Sequence, residues 1–290
     1  MSDQTSRDGV QRLLFEDLDI RGAVVRLETS WQAMQAGRDY APAVAGILGE
    51  MTAVASLIAA QLKQPGRLTF QMRGNGPISM LVIDCNERLE FRGTARAEAN
   101  VAPGTVDELM GHGQLMLTLD IPQAREPYRS FVPLEGATVA EVFEHYLEQS
   151  EQQASRLYLV ASPTAAVGLF LQKMPDTDTK DTDGWNRLQQ LAATIKPEEL
   201  LGLDTETLLA RIFPEETVRL YPAKPVSYSC PEDWDKVREM VRSLGQAEVE
   251  AILQEHGEIL IKDDICNREY RFDAEAIADL FAPENRPTLH

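Results

Sequence analysis

Cysteine is scarce, with three residues among 290. An odd, widely separated set does not make the disulfide framework of a small extracellular fold. The first ten residues, MSDQTSRDGV, hold no apolar stretch, so no secretory signal is expected and the chain reads as cytoplasmic. Long hydrophobic runs are missing as well. The most apolar window, AVAGILGEMTAVASLIAAQLK from Ala43 to Lys63, is interrupted by Glu50 and bounded by Pro42 and Pro65, which suits a helix buried in a protein core and not a membrane span. Positive charge is in deficit: 28 Lys and Arg against 46 Asp and Glu leave a formal net charge of -18. A surface that negative repels phosphate backbones and anionic membrane faces within a Debye length. Neither nucleic acid nor a membrane is expected as a partner.

Catalytic signatures are equally thin. His112, His145, His256 and His290 fall in separate segments, and none belongs to an H-E-x-x-H metal pair. His256 precedes Cys266 but is read as the end of a helix, not as the base of a thiol. RGNGPIS carries two glycines of a nucleotide-binding fingerprint, lacks the third, and sits in a hairpin and not at a strand-to-helix turn. There is no G-x-S-x-G and no P-loop. The expectation is a protein that is not an enzyme and binds no nucleotide.

What is present is enough chain for about two domains and at least one sizeable core. Period-two patterning in RLTFQMRG, ISMLVIDC and LEFRGTARA predicts strands joined by turns at Gly74–Pro77 and at Asn86–Glu87. GQLMLTLDI, YRSFVPL, SRLYLVA and AVGLFLQKM add further strands. Between them a capping box at Thr138 and Glu141 opens a helix with Val139, Val142, Phe143, Tyr146 and Leu147 on its apolar face. Residues 1–175 therefore read as an α+β domain, with helices covering an antiparallel sheet.

DTDTKDTDG, directly after Pro175, has no apolar residue and predicts a boundary. From there to residue 228 the pattern is a helical linker of short segments with apolar stripes at Leu188, Leu191, Ala192 and Ile195 and again at Leu208, Leu209, Ile212 and Phe213. Each is too short to be stable alone in water and must dock on a neighbouring surface. Either this is a plain docked arm, or it undocks under stress and exposes its stripes. Residues 229–290 form a small C-terminal α+β unit: WDKVREMVRSL presents Trp234, Val237, Met240, Val241 and Leu244, a second helix ends at Gly257, and EILIKDD pairs with REYRFD. A unit of this size is marginal without a metal or another staple.

Four stretches in order, LLFEDLDIRGAVVRLETSW, MRGNGPISMLVIDCNERLEFRGTARAE, PLEGATVAEVFEHYLEQSEQ and AEVEAILQEHGEI before a cysteine-bearing strand, resemble the heat-shock protein 33 family of redox-regulated holdase chaperones. The resemblance runs over nearly the whole chain. It implies an N-terminal α+β core, a metastable helical linker and a C-terminal zinc domain. In the family zinc is held by four cysteines, a C-x-C and a C-x-x-C; oxidation forms two disulfides, releases the metal and loosens the linker, which then captures unfolding clients without ATP. It also implies a homodimer in the active state.

Set on this sequence, the C-x-C falls at Cys230 and Glu232 and the C-x-x-C at Asp263 and Cys266, so two of four thiols are absent. Three outcomes follow. An S₂O₂ cage of Cys230, Glu232, Asp263 and Cys266, with Asp264 as a substitute donor, would hold zinc weakly, because exchanging soft for hard ligands forfeits part of the roughly 10–16 kcal/mol of a full structural site. In the preferred reading no metal binds, and Trp234, Ile261, Ile265, Tyr270 and Phe272 pack the unit unaided. In the third, Cys230 and Cys266, which the family geometry brings near one zinc, bond to each other. Cys85, at the end of an apolar strand, reads as a buried small hydrophobe.

The function this implies is an ATP-independent holdase binding unfolding proteins under oxidative or heat stress, with altered redox control and with Leu188, Leu191, Ile195, Leu208, Leu209, Ile212 and Phe213 as client-binding face. The rival reading is a non-chaperone interaction protein whose helical arm binds one dedicated partner.

Overall fold

The computed structural model describes residues 8–174 and 181–282. Most of the N-terminal decapeptide, the start of the polar run after Met174, and His290 lie outside the described residues. The chain divides into two compact units, the first ending at Ser229 and the second beginning at Cys230.

The first unit opens with strands β1 (Gly9–Phe15) and β2 (Ile20–Leu27), a short helix α1 (Thr29–Gln35) and the long helix α2 (Pro42–Ala59). Strands β3 (Arg67–Gly74), β4 (Ile78–Cys85) and β5 (Glu90–Ala97) follow as a meander. Helix α3 (Val106–Met110), strands β6 (Gly113–Asp120) and β7 (Tyr128–Pro133), helix α4 (Val139–Glu151) and strands β8 (Ser155–Ala161) and β9 (Ala166–Lys173) complete the sheet-rich portion. Three short helices then form an arm: α5 (Gly184–Ala192), α6 (Pro197–Gly202) and α7 (Thr205–Ile212). After them the chain re-enters the sheets as β10 (Val218–Leu220), β11 (Lys224–Pro225) and β12 (Ser227–Tyr228).

The period-two signal predicts one antiparallel sheet, and the structure forms two. The first runs β10-β1-β2-β9-β8, with β11 also on β1; the second runs β12-β5-β4-β3-β6-β7. All pairings are antiparallel except β12 on β5, where Ser227 and Tyr228 lie parallel to Glu90 and Phe91. Alternation identifies strands but not their partners, so the split was not visible in it. The last part of the predicted linker is likewise strand, too short at three, two and two residues to leave a pattern.

Helix α2 explains the split. Apolar on nearly every side, it is sandwiched between β2, β8 and β9 of the first sheet and β3, β4 and β5 of the second. It is long and apolar enough to cross a membrane by composition, yet most of it is inside this core. Gly49 lets it sit close, since a Cβ there would lie 2.6 Å from that of Ala161. The first sheet is apolar on both faces. Ala23, Val25 and Phe170 point to α2, while Ile20, Val24, Val167, Leu169 and Leu171 point to the arm. A strand buried throughout, as β9 is, requires a cover on each side.

The second unit consists of helices α8 (Trp234–Leu244) and α9 (Gln246–His256), the hairpin β13 (Ile259–Asp263) and β14 (Arg268–Phe272), and helix α10 (Ala274–Phe281). Gly257 ends α9 in the left-handed conformation at φ 78°. Val237, Val241, Val249, Tyr270, Phe272, Ile277 and Leu280 make its core, with Trp234 edge-on to Tyr270 at 4.9 Å. Two expectations change here. Met240 and Leu244 do not join the core but stay 47% and 51% exposed, and Ile265, only partly buried in the hairpin connection, lies outside that core. α10 takes their place, capped by Asp273, whose side chain accepts from the Ala276 amide at 2.8 Å.

Candidate functional site

The arm's seven expected client-binding residues meet on one surface. Leu188, Leu208, Leu209, Ile212 and Phe213 are buried against the outer face of the first sheet, and Leu191 and Ile195 pack at the margin. Phe213 meets Phe15 of β1 edge-on at 5.1 Å. α5, α6 and α7 have nine, six and eight residues, lengths at which helix nucleation is not recovered by propagation. Their order therefore comes from the roughly 1.5–3 kcal/mol that each fully buried large apolar side chain contributes.

Polar clamps fix this cover in register, and sequence reasoning did not find them. Arg26 of β2 donates to the main-chain oxygens of Leu200 (2.9 Å), Leu201 (2.7 Å) and Leu203 (2.5 Å). The C-terminal carbonyls of α6, orphaned by the helix geometry and at its negative end, thus receive one guanidinium. Tyr158 of β8 donates its hydroxyl to the Gln189 carbonyl at 3.2 Å. Arg187 of α5 holds Glu216 at 2.8 Å and Asp181 at 2.9 Å, and its hydrogen bond draws the Asp181 carboxyl below the usual range. The one available signal was a lone arginine on the apolar face of a strand, which in a sequence looks like an exposed position.

Beside β8 the seam is incompletely filled. A cavity of about 270 Å³ is lined by Glu50 of α2, by Tyr158 and its neighbours on β8, and by Ile195, Lys196, Pro197 and Leu200 of the arm. Burial pushes the Glu50 carboxyl up from 4.5 to about 7. A carboxylate under the edge of a docked cover is a local cost that disappears when the cover leaves.

Of the four residues placed at the zinc positions, the structure joins two. Cys230 and Cys266 form a disulfide, with Cα atoms 5.6 Å apart and a sequence separation of 36. The carboxylates at the other two positions are engaged elsewhere. Glu232 accepts from Trp234 Nε1 at 2.8 Å and lies 3.9 Å from Arg268. Asp263 Oδ1 accepts from the main-chain amides of Ile265 (2.9 Å) and Cys266 (3.2 Å), closing the hairpin connection. Among the described residues no three His, Cys, Asp or Glu side chains come together to hold a metal ion. A tetrahedral structural zinc needs four deprotonated ligands; two bonded sulfurs and two committed carboxylates do not fit one. Cys85 is fully buried, and desolvation, followed by the charge of Asp84, pushes its thiol up to about 12. It stays a protonated hydrophobe.

A two-sheet α+β unit carrying a clamped helical cover, followed by a small α+β unit, is the class of protein defined here. Residues 8–273 match the family model described as Hsp33 protein. The chain is 42% identical over 282 residues to a 33 kDa chaperonin of Pseudomonas paraeruginosa, covering 95% of each. It is 39% identical over 279 residues to a 33 kDa chaperonin of Nitrosococcus oceani, covering 96% of each. The crystal structure of a 33 kDa chaperonin, a heat shock protein 33 homolog of Thermotoga maritima, superposes with a TM-score of 0.80 over 94% of this chain and 97% of that one, at 22% identity. At that identity the likeness speaks for the fold. The chain belongs to the Hsp33 family, a family of chaperones and not of enzymes.

Proposed function

We propose that the chain is an ATP-independent holdase that binds unfolding proteins and prevents their aggregation. The functional division is a core at 1–175, a releasable arm at 176–228 and a C-terminal unit at 229–290. Leu188, Leu191, Ile195, Leu208, Leu209, Ile212 and Phe213, with the sheet face beneath them, are the client-binding surface. The observation that carries the reading is that three helices, none long enough to persist alone, cover an otherwise complete apolar sheet face. Such a cover lies at the low-stability end of the molecule, and its departure uncovers two apolar surfaces at once. The protein acts in the cytoplasm, without nucleotide, and associates as a homodimer when active.

Redox control takes a different form from the family's. The Cys230–Cys266 bond replaces the zinc as staple of the second unit and is the single redox element. Closing a loop of this length removes chain entropy from the unfolded state worth about 4 kcal/mol. Reduction by a dithiol, with two electrons and two protons yielding two thiols, therefore loosens the second unit, and peroxide has no further pair to oxidise. Heat acting on the arm is the principal signal.

The test is suppression of aggregation of a thermally unfolding client, with and without peroxide, for the wild type and for Cys230→Ser combined with Cys266→Ser. Activity on heating without peroxide, retained in the double variant, is the expected result. A requirement for peroxide that vanishes in the double variant overturns the heat-driven reading, and no activity under any condition overturns the holdase. In the same double variant the second unit melts about 4 kcal/mol less stable, with the first unit unchanged by hydrogen exchange.

A further inference from the structure

A second cavity lies in the first unit, away from the arm. It measures about 580 Å³ and opens where the C-terminal end of α2 meets both sheets, a volume within the range of small-molecule sites. One wall is apolar, made by Leu62, Leu119, Leu147 and Phe170. The other is polar. Arg21 of β2 and Gln172 of β9 line it, and behind them the row continues to Ser155 of β8: Arg21 Nε and Nη2 donate to Gln172 Oε1 at 2.9 and 2.5 Å, and Gln172 Nε2 donates to Ser155 Oγ at 3.1 Å. Gln172 is 1% exposed and Ser155 2%.

Charge distinguishes this cavity from an ordinary packing gap. The chain carries a net charge of -18, yet among the described residues no Asp or Glu lines the cavity, while Arg21 and Lys63 do. Among the described residues neither cation has a carboxylate partner; Arg21 has only the neutral amide of Gln172. Two cations that face a cavity without a carboxylate among its described lining favour an anion there, which answers them with charge-assisted hydrogen bonds.

We infer that this cavity is a binding site for a small monoanionic amphiphile, a medium-chain carboxylate whose head group sits at Arg21 and Lys63 and whose alkyl body lies on Leu62, Leu119, Leu147 and Phe170. The apolar wall rejects a bare inorganic anion, and the two cations reject neutral or cationic chains of the same length. The site is independent of client capture and of the disulfide.

Isothermal titration of the full chain with octanoate tests it, with octanol and octylamine as controls. Octanoate gives saturable one-to-one binding in the millimolar range or tighter, and the controls bind at least about tenfold more weakly. Arg21→Met lowers octanoate affinity about tenfold and Lys63→Met by less, as the loss of one partly buried and one exposed cation requires. Since Arg21→Met also disturbs the row to Gln172, Leu62→Trp serves as a second variant: it fills the apolar wall, keeps both cations and abolishes binding while the melting temperature holds. Absence of saturable heat, octanol binding as tightly as octanoate, or octanoate affinity unchanged in both Arg21→Met and Leu62→Trp overturns the inference.

Discussion

The two faces of the first sheet are alike in composition and unlike in cover. Inward, it packs on one 18-residue helix that also serves the second sheet. Outward, it packs on three helices of nine, six and eight residues whose buried side chains gather in one cluster against that face. α2 cannot leave without opening both sheets. The arm can leave at the cost of its own contacts, because the strands beneath it keep their ladders and their other core. What separates a structural core from a releasable one is therefore not hydrophobicity but the number of elements a cover holds together.

The largest expected effect breaks this comparison directly. Val54→Asp places an unpaired charge in the α2 core, where Val54 is 0% exposed, and the protein fails to fold. Leu208→Asp, at 1% exposed in the arm core, costs several kcal/mol as well, on the order of 3–5 for an uncompensated buried charge, but confines the loss to the arm. Hydrogen exchange then shows fast amides over 184–213 with β2, β9 and the second sheet still protected, and the variant suppresses client aggregation without heating. Equal loss of protection in the sheet and the arm would sink the distinction.

A smaller effect sharpens the comparison at one residue. Arg26→Ala removes the guanidinium that receives three α6 carbonyls and takes about 3 kcal/mol from arm docking, in the range for hydrogen bonds to a charged donor. The arm exchanges faster and the holdase threshold falls to lower temperature, while the cavity at Arg21 and the second unit are unaffected. Arg26→Lys restores only part, since an ammonium lacks the planar fork that spans several acceptors.

How far this was legible in the chain follows from the physics of each feature. The arm's stripes at Leu188–Ile195 and Leu208–Phe213 are helical periodicity, a local signal, and the structure buries most of those residues and packs Leu191 and Ile195 at the margin. The α4 capping box is local too, and Thr138 accepts from the Glu141 amide at 3.2 Å. Partner choice is not local, which is why one predicted sheet is two and why β10 to β12 went unread. Helix α8 misleads in the opposite direction, its five-residue stripe being wider than the core it meets. The Cys230–Cys266 pair entered only through the family resemblance, because a spacing of 36 residues carries no signature. Arg26 and Glu50 matter through what lies across from them, which no window of sequence contains.

The smallest effect concerns Glu50, at the joint between the two covers. It belongs to α2 and faces the arm's Ile195–Leu200 segment, with Lys196 and Tyr158 as the ionisable neighbours lining the same cavity. Burial raises its carboxyl to about 7 from 4.5, whereas a departed arm returns it to water and to its ordinary value. Between these two values the docked state holds a proton that the undocked state has released. Docking is therefore strongest below 4.5 and weakens as pH rises through about 7. Because part of the Glu50 side chain stays in water in the docked state, the cost against docking at neutral pH is about 2 kcal/mol. A carboxylate at the seam thus keeps the arm loosely held under ordinary conditions and tightens it in acid. Arm amides followed by hydrogen exchange, corrected for the intrinsic pH dependence of exchange, lose protection between about pH 5 and about pH 7.5, and Glu50→Gln removes that dependence while holding the arm in its acid-like state. If Glu50→Gln leaves the pH profile of the arm as steep as in the wild type, the carboxylate is not what loosens the outer cover, and the difference between the two faces rests on helix length alone.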